Sequence, residues 1–172
     1  MSKPTVDLVV EAEAWLEVLP DLAAISERAA TMALSVLPEQ ARDCEICVMA
    51  CDDARIAELN GPFREKATAT NVLSWPAFEL GSKTAGAAPE IPPAAGIDGG
   101  QVFLGDVAIA LQTTVSEAVA ASKPLQSHVL HLILHGCLHL LGYDHETPED
   151  AILMEGIETR AMLAEGLPDP YA

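Results

Sequence analysis

The sequence is poor in positive charge. Lys and Arg number 9 against 26 Asp and Glu in 172 residues, a formal net charge of −17 with histidine neutral. A surface that draws in phosphate from every direction is therefore excluded, and so is electrostatic docking on an anionic membrane. A small basic patch around a site is not excluded. Long apolar runs are also missing. The most apolar stretch, 129–141, is broken by His131, His135 and His139 and is shorter than the ~20 residues that span a bilayer. The opening MSKPTVDLVVEAEAW meets Glu11 and Glu13 early, so it does not read as a signal peptide, and a soluble cytoplasmic protein is expected. Cysteine is sparse, at Cys44, Cys47, Cys51 and Cys137. Half the residues are apolar, so a core can form without disulfides. Cys44 and Cys47 make a CxxC, but the run 45–50 reads as a strand, where positions three apart point to opposite faces. Buried thiols are expected there rather than metal ligands.

What is present reads as one folded domain over 1–172. Residues 5–10 alternate and are β-branched, 45–50 reads as a buried strand, and 71–75 as a short strand before Pro76. Residues 20–37 carry Leu22, Ile25, Ala29, Met32, Ala33 and Val36 at helical spacing, with a stop near Pro38. Asp52 or Asp53 caps a short helix reaching Leu59. The segment 77–100, rich in Ala, Gly and Pro, predicts a long surface loop. A strand over 101–111 follows, then a helix over 114–121 and a longer one over 125–141 that stops at Gly142. Thr147-Pro148-Glu149-Asp150 opens a last helix running to about Ala164. No internal repeat is visible, and strands and helices mix without strict alternation. The expected class is α+β, a small mixed sheet packed with helices.

All five histidines fall between His128 and His145. Residues four apart lie one turn apart on a helix face, so His135 and His139 can aim their rings at one point. Gly142 can turn the chain back in a left-handed conformation and bring His145 to face the pair. Three neutral imidazoles leave a fourth position for water, the pattern of a catalytic rather than a structural zinc. A bound ion can lower that water's pKa to ~7. His128 and His131 continue the same stripe upstream. Hydrogen bonding in a polar seam is expected for both, and His131 is placed to orient a ligand. Asp144 either fixes the His145 tautomer or caps the following turn. Tyr143 reads as packing, and Cys137 points off the ligand face.

The spacing H-x-x-x-H-x-x-G-x-x-H is also that of metzincin proteases. Those enzymes carry a Glu general base directly after the first histidine. Here that position is Gly136, which cannot move a proton. A second informative stretch is 60–76, where Arg64 and Lys66, with Arg55 nearby, gather three of the nine basic residues. Arginine can grip phosphate with two parallel hydrogen bonds, and Thr70, Asn71 and Ser74 add neutral donors. Either this cluster serves a phosphodiester, or its arginines pair with surface carboxylates.

HGCLHLLGYDH at 135–145 resembles the signature of the YbeY-type endoribonucleases, a family of bacterial rRNA maturation factors. FREKATATNVLSWP at 63–76, LGDVAIA at 104–110 and the closing LPDPYA agree with it. The sequence departs from the common pattern at Cys137 and Trp75. The resemblance implies a zincin-like α+β fold with the histidine helix at the cleft. It implies one zinc ion on His135, His139 and His145, and Arg64 as the functional arginine. It also implies metal-dependent cleavage of single-stranded RNA in maturing the 3′ end of small-subunit rRNA and in ribosome quality control. Given the acidic surface, a ribosome or ribosomal-protein partner is expected to deliver the RNA. Two other readings compete: a metallopeptidase, and a non-enzymatic ribosome-assembly factor with a structural metal.

Overall fold

A computed structural model describes residues 3–61, 70–94 and 99–172. Its four strands are β1 (Thr5–Val10), β2 (Cys44–Cys51), β3 (Val72–Pro76) and β4 (Val102–Ala110). They form one sheet in the order β1-β2-β4-β3, in which β1, β2 and β4 run parallel and β3 closes the edge antiparallel to β4. The helices are α1 (Ala14–Val18), α2 (Leu22–Leu34), α3 (Asp53–Asn60), α4 (Leu111–Ala120), α5 (Leu125–Leu140) and α6 (Pro148–Ala164). The mixed sheet and the helices match the expected α+β class.

The core follows from periodicity. In β2 the alternate residues Cys44, Ile46, Val48 and Ala50 are buried against α2 and α5. Helix α5 is apolar almost all round, with Val129, Leu130, Leu132, Ile133, Leu134, Cys137, Leu138 and Leu140 buried. A helix of this composition belongs in the middle of a protein. Beyond Gln126 and Ser127 in its first turn, its polar side chains are the stripe of histidines. The other sheet face carries a thinner cluster of Cys51, Ile56, Ala108 and Ala110 beneath α3.

Several boundaries differ from the sequence expectation for identifiable reasons. Helix α4 starts at Leu111 rather than 114. Its first turn is capped from another helix: the Asp53 carboxylate accepts from the Thr113 N–H (3.0 Å) and hydroxyl (2.7 Å). In return the Gln112 side-chain carbonyl accepts from the Asp53 N–H at 2.8 Å. No local pattern announces such a cap. Helix α1 was not anticipated, since five residues are too few for a period to show. It is held by the buried Trp15, whose Nε1–H donates to the Cys51 carbonyl at 2.8 Å. The N-caps predicted at Asp52 and Thr147 both form, accepting from the N–H of Arg55 and of Asp150.

All four thiols are free, but Cys47 is only partly buried. It lies on the opposite sheet face from Cys44, as the strand geometry required. Burial first, then Asp106, pushes the Cys47 thiol up to about 11, and burial pushes Cys137 to about 12, so neither offers a thiolate at neutral pH. The described part of 77–100 contains no helix or strand. It is nonetheless tied down, with Leu80 buried, the Ala77 N–H on the Leu104 carbonyl and the Gly86 N–H on Asp150. This loop forms one rim of the cleft described next. Among the described residues no helix is long and apolar enough to cross a membrane.

Candidate metal centre

Helix α5 ends in two hydrogen bonds that turn the chain. The Gly142 N–H donates to the His139 carbonyl at 3.0 Å and the Tyr143 N–H to the Leu138 carbonyl at 3.1 Å, the pairing of a Schellman cap. Gly142 has φ +98°, and a Cβ there would stand 2.8 Å from the backbone of Leu80 and Gly81. Only glycine fits. The turn has two results. It swings His145 back over the end of α5, and it directs the Tyr143 carbonyl at the His139 ring.

Ring nitrogens of His135, His139 and His145 all lie within 4.8 Å of one another. The His135 and His139 rings meet edge to face with centroids 4.6 Å apart, and His145 stands 5.4 Å and 5.1 Å from them. The tautomers follow from the partners. His139 Nδ1–H donates to the Tyr143 carbonyl at 2.9 Å. His135 Nδ1–H donates to Glu158 Oε1 at 2.9 Å. Each ring therefore has its Nε2 lone pair bare, and these two Nε2 atoms are 3.0 Å apart. Two acceptors held this close repel, and a cation between them turns the repulsion into attraction. Burial first, then His135, pushes the His139 imidazole down to about 4, so it is neutral at pH 7 and ready to ligate. Three imidazoles so arranged fit a divalent first-row metal ion. Among the described residues no fourth His, Cys, Asp or Glu joins the group.

The centre opens into a cleft of about 820 Å³. Its walls are β3 with residues 70 and 71, the rim 78–81, and the histidine face of α5. Gly136 lets α5 press against the sheet here. A Cβ at Gly136 would stand 2.7 Å from Val107 Cγ1, and its carbonyl accepts from the Ser74 hydroxyl at 3.1 Å.

The remaining site candidates divide clearly. Arg64 and Lys66 lie outside the described residues. Arg55 is held at the surface by Glu11 and Glu58, each at 3.2 Å, so for this arginine the carboxylate pairing prevails. Asn71 and Ser74 do line the cleft, but their donors face inward. Ser74 is bonded to Gly136 as described, and Asn71 Nδ2–H donates to the Glu117 carboxylate at 3.2 and 3.3 Å. Glu117 also accepts from His128 Nε2–H at 2.8 Å, which places His128 in a network behind the cleft wall. Asp144 accepts from the His145 N–H at 2.8 Å, the backbone role rather than the ring-orienting one. Tyr143 packs against the core while its carbonyl orients His139.

Two residues escaped the sequence reading: Glu158 on α6 and Tyr171 beyond it. Glu158 is wholly buried. Its Oε1 accepts from both His131 Nε2–H (2.8 Å) and His135 Nδ1–H (2.9 Å), and its Oε2 from the Tyr171 hydroxyl (2.7 Å). Burial alone would raise its carboxyl. The hydrogen bonds from His131, His135 and Tyr171 outweigh that and hold it at about 2. One signal was available: Glu158 sits four residues from both Met154 and Met162, on the buried stripe of α6. A carboxylate on that stripe needs partners.

A family profile described as Endoribonuclease YbeY matches residues 14–165. A protein of Ruegeria pomeroyi named Endoribonuclease YbeY is 53% identical, with 97% of this chain and 98% of the relative aligned. One from Cereibacter sphaeroides with the same name is 50% identical over 98% of this chain and 99% of its own length. The solution structure of TM1509 from Thermotoga maritima aligns with a TM-score of 0.51, covering 94% of this chain and 92% of that one. At 18% identity it supports the fold alone. With this sheet, this cleft and a profile spanning most of its length, the chain belongs to the YbeY endoribonuclease family.

Proposed function

We propose that the chain is a cytoplasmic, zinc-dependent endoribonuclease acting as one catalytic domain. It cleaves single-stranded RNA in the maturation of the small-subunit rRNA 3′ end and in ribosome quality control. The observation that supports the metal most strongly is the 3.0 Å approach of two bare Nε2 atoms, with both Nδ1 protons already taken. His135, His139 and His145 would hold one zinc ion, and the ion supplies a Lewis acid for a phosphoryl oxygen and for water.

The chain's own residues do the rest. Glu158 keeps the proton on His135 Nδ1, and the Tyr143 carbonyl keeps it on His139 Nδ1, so both rings face the cleft as acceptors. Such fixed partners make ligand rings more basic and better oriented. Arg64 is the one catalytic side chain we assign outside the ligands: its guanidinium holds the non-bridging oxygens as charge grows on them. The −17 charge opposes tight RNA binding by the isolated chain, which favours delivery by the ribosome or a ribosomal protein.

A peptidase reading meets a steric obstacle. A glutamate base at position 136 would enter space already filled by Val107, 2.7 Å from the first side-chain atom. A purely structural metal is disfavoured because structural sites are usually closed by four protein ligands. The test is metal analysis with cleavage of single-stranded RNA and casein by wild type, His139→Ala and Arg64→Ala. RNA cleavage by wild type alone is expected, with Arg64→Ala still holding metal. Casein cleavage, or full RNA cleavage by both variants, would refute the proposal.

A further inference from the structure

Glu158 is the one carboxylate wholly buried among the described residues, and Oε2 is the oxygen that faces away from the histidines. A buried carboxylate oxygen without a donor is costly. Here the donor comes from beyond α6. The segment 165–172 folds back along the helix, and Tyr171 reaches Oε2 with its hydroxyl at 2.7 Å.

The segment is anchored by bonds that do not involve this hydroxyl. The Leu167 N–H donates to the Met162 carbonyl at 3.0 Å, and Lys123 Nζ to the Pro170 carbonyl at 2.9 Å. Asp169 accepts from the Thr159 hydroxyl at 3.1 Å and from the Tyr171 N–H at 2.9 Å. The Tyr171 ring stands edge-on to His131 with centroids 5.5 Å apart, yet Tyr171 remains 47% exposed. Packing alone therefore gives no reason for a phenol here. The hydroxyl is the group that reaches inward.

We propose that Tyr171 is a positioning residue for the metal centre. Its hydroxyl fixes Oε2, which fixes the plane of the Glu158 carboxylate and keeps Oε1 on the Nδ1 proton of His135. The Nε2 of His135 then stays aimed at the other two rings. His131 serves the same end from the other side, since its Nε2–H shares Oε1. This rests on the reading of His135, His139 and His145 as metal ligands, and the test separates the two.

Zinc affinity is measured for the full chain by competition with a chromophoric chelator, alongside the cobalt(II) absorption spectrum and melting of the metal-free protein. Tyr171→Phe keeps the ring and removes the hydroxyl. It is expected to weaken zinc binding roughly tenfold and to change the cobalt spectrum in a chain that still folds. Thr159→Val loosens the segment while keeping the hydroxyl, and it is expected to leave zinc affinity within about twofold of wild type. Equal affinity for wild type and Tyr171→Phe overturns the proposal. So does an equal loss in Thr159→Val, which would assign the effect to packing, or a Tyr171→Phe chain that does not fold. Failure of the wild type itself to bind zinc overturns the metal reading beneath it.

Discussion

Replacing Glu158 by Gln tests whether the buried carboxylate is held ionised by its three donors. Glutamine keeps the shape, and its carbonyl can still accept from His131 and His135. Its amide must then donate to the Tyr171 oxygen, reversing that bond. What is lost is the charge. The carboxyl is held at about 2 in the folded chain against an ordinary 4.5. At ~1.4 kcal/mol for each pH unit, that corresponds to about 3–4 kcal/mol at most of stability at neutral pH. For a chain of this size the melting temperature should fall by roughly 6–16 °C. The sign with pH is fixed as well. The folded value lies below the unfolded one, so the contribution is complete above pH 4.5 and is lost as pH falls towards 2. Chemical denaturation of the metal-free proteins, at pH 7 and between pH 5 and 3, measures both effects. Equal stability at pH 7, with equal slopes in acid, would refute the assignment.

The other predictions concern neighbouring residues. His139, pushed down to about 4 mainly by burial, contributes stability that is complete above its ordinary 6.5 and is lost as pH falls towards 4. Denaturation of metal-free His139→Gln should therefore show a shallower acid slope than wild type in that window. Gly142→Ala puts a Cβ at φ +98° and 2.8 Å from the Leu80–Gly81 backbone. It should cost about 2–4 kcal/mol by denaturant titration and weaken metal binding, because the same turn places His145 and the Tyr143 carbonyl. Arg55→Ala should leave RNA cleavage within about twofold, because that guanidinium is engaged by Glu11 and Glu58 at the surface.

The sequence was most informative where a period or a spacing has one geometric meaning. The i, i+4 pair His135 and His139, the turn at Gly142 and the returning His145 could be placed without coordinates, because helix geometry and a left-handed cap determine them. Strand β1 was legible from alternation, β2 from its short apolar run, and the last helix from its Thr147 cap. What stayed hidden depends on partners distant in the chain. The start of α4 is set by Asp53, whose carboxylate takes the Thr113 N–H sixty positions on. The tautomers of His135 and His139 are set by Glu158 and by a backbone carbonyl. Asn71 and Ser74 look like free donors in the sequence, yet tertiary packing turns their donors towards Glu117 and Gly136. Gly136 reads in sequence as a missing base. In the fold it is also the contact that lets α5 close on β4.

The central claim is that three imidazoles converge on one cation with no fourth protein ligand. X-ray absorption of the zinc-loaded protein, with zinc stoichiometry determined on the same sample, tests it directly. The predicted result is one zinc per chain, bound by three imidazole nitrogens, with the ion lost in His139→Ala. A protein that takes up no zinc, or a zinc closed by a sulfur or by a fourth side chain, would contradict the account.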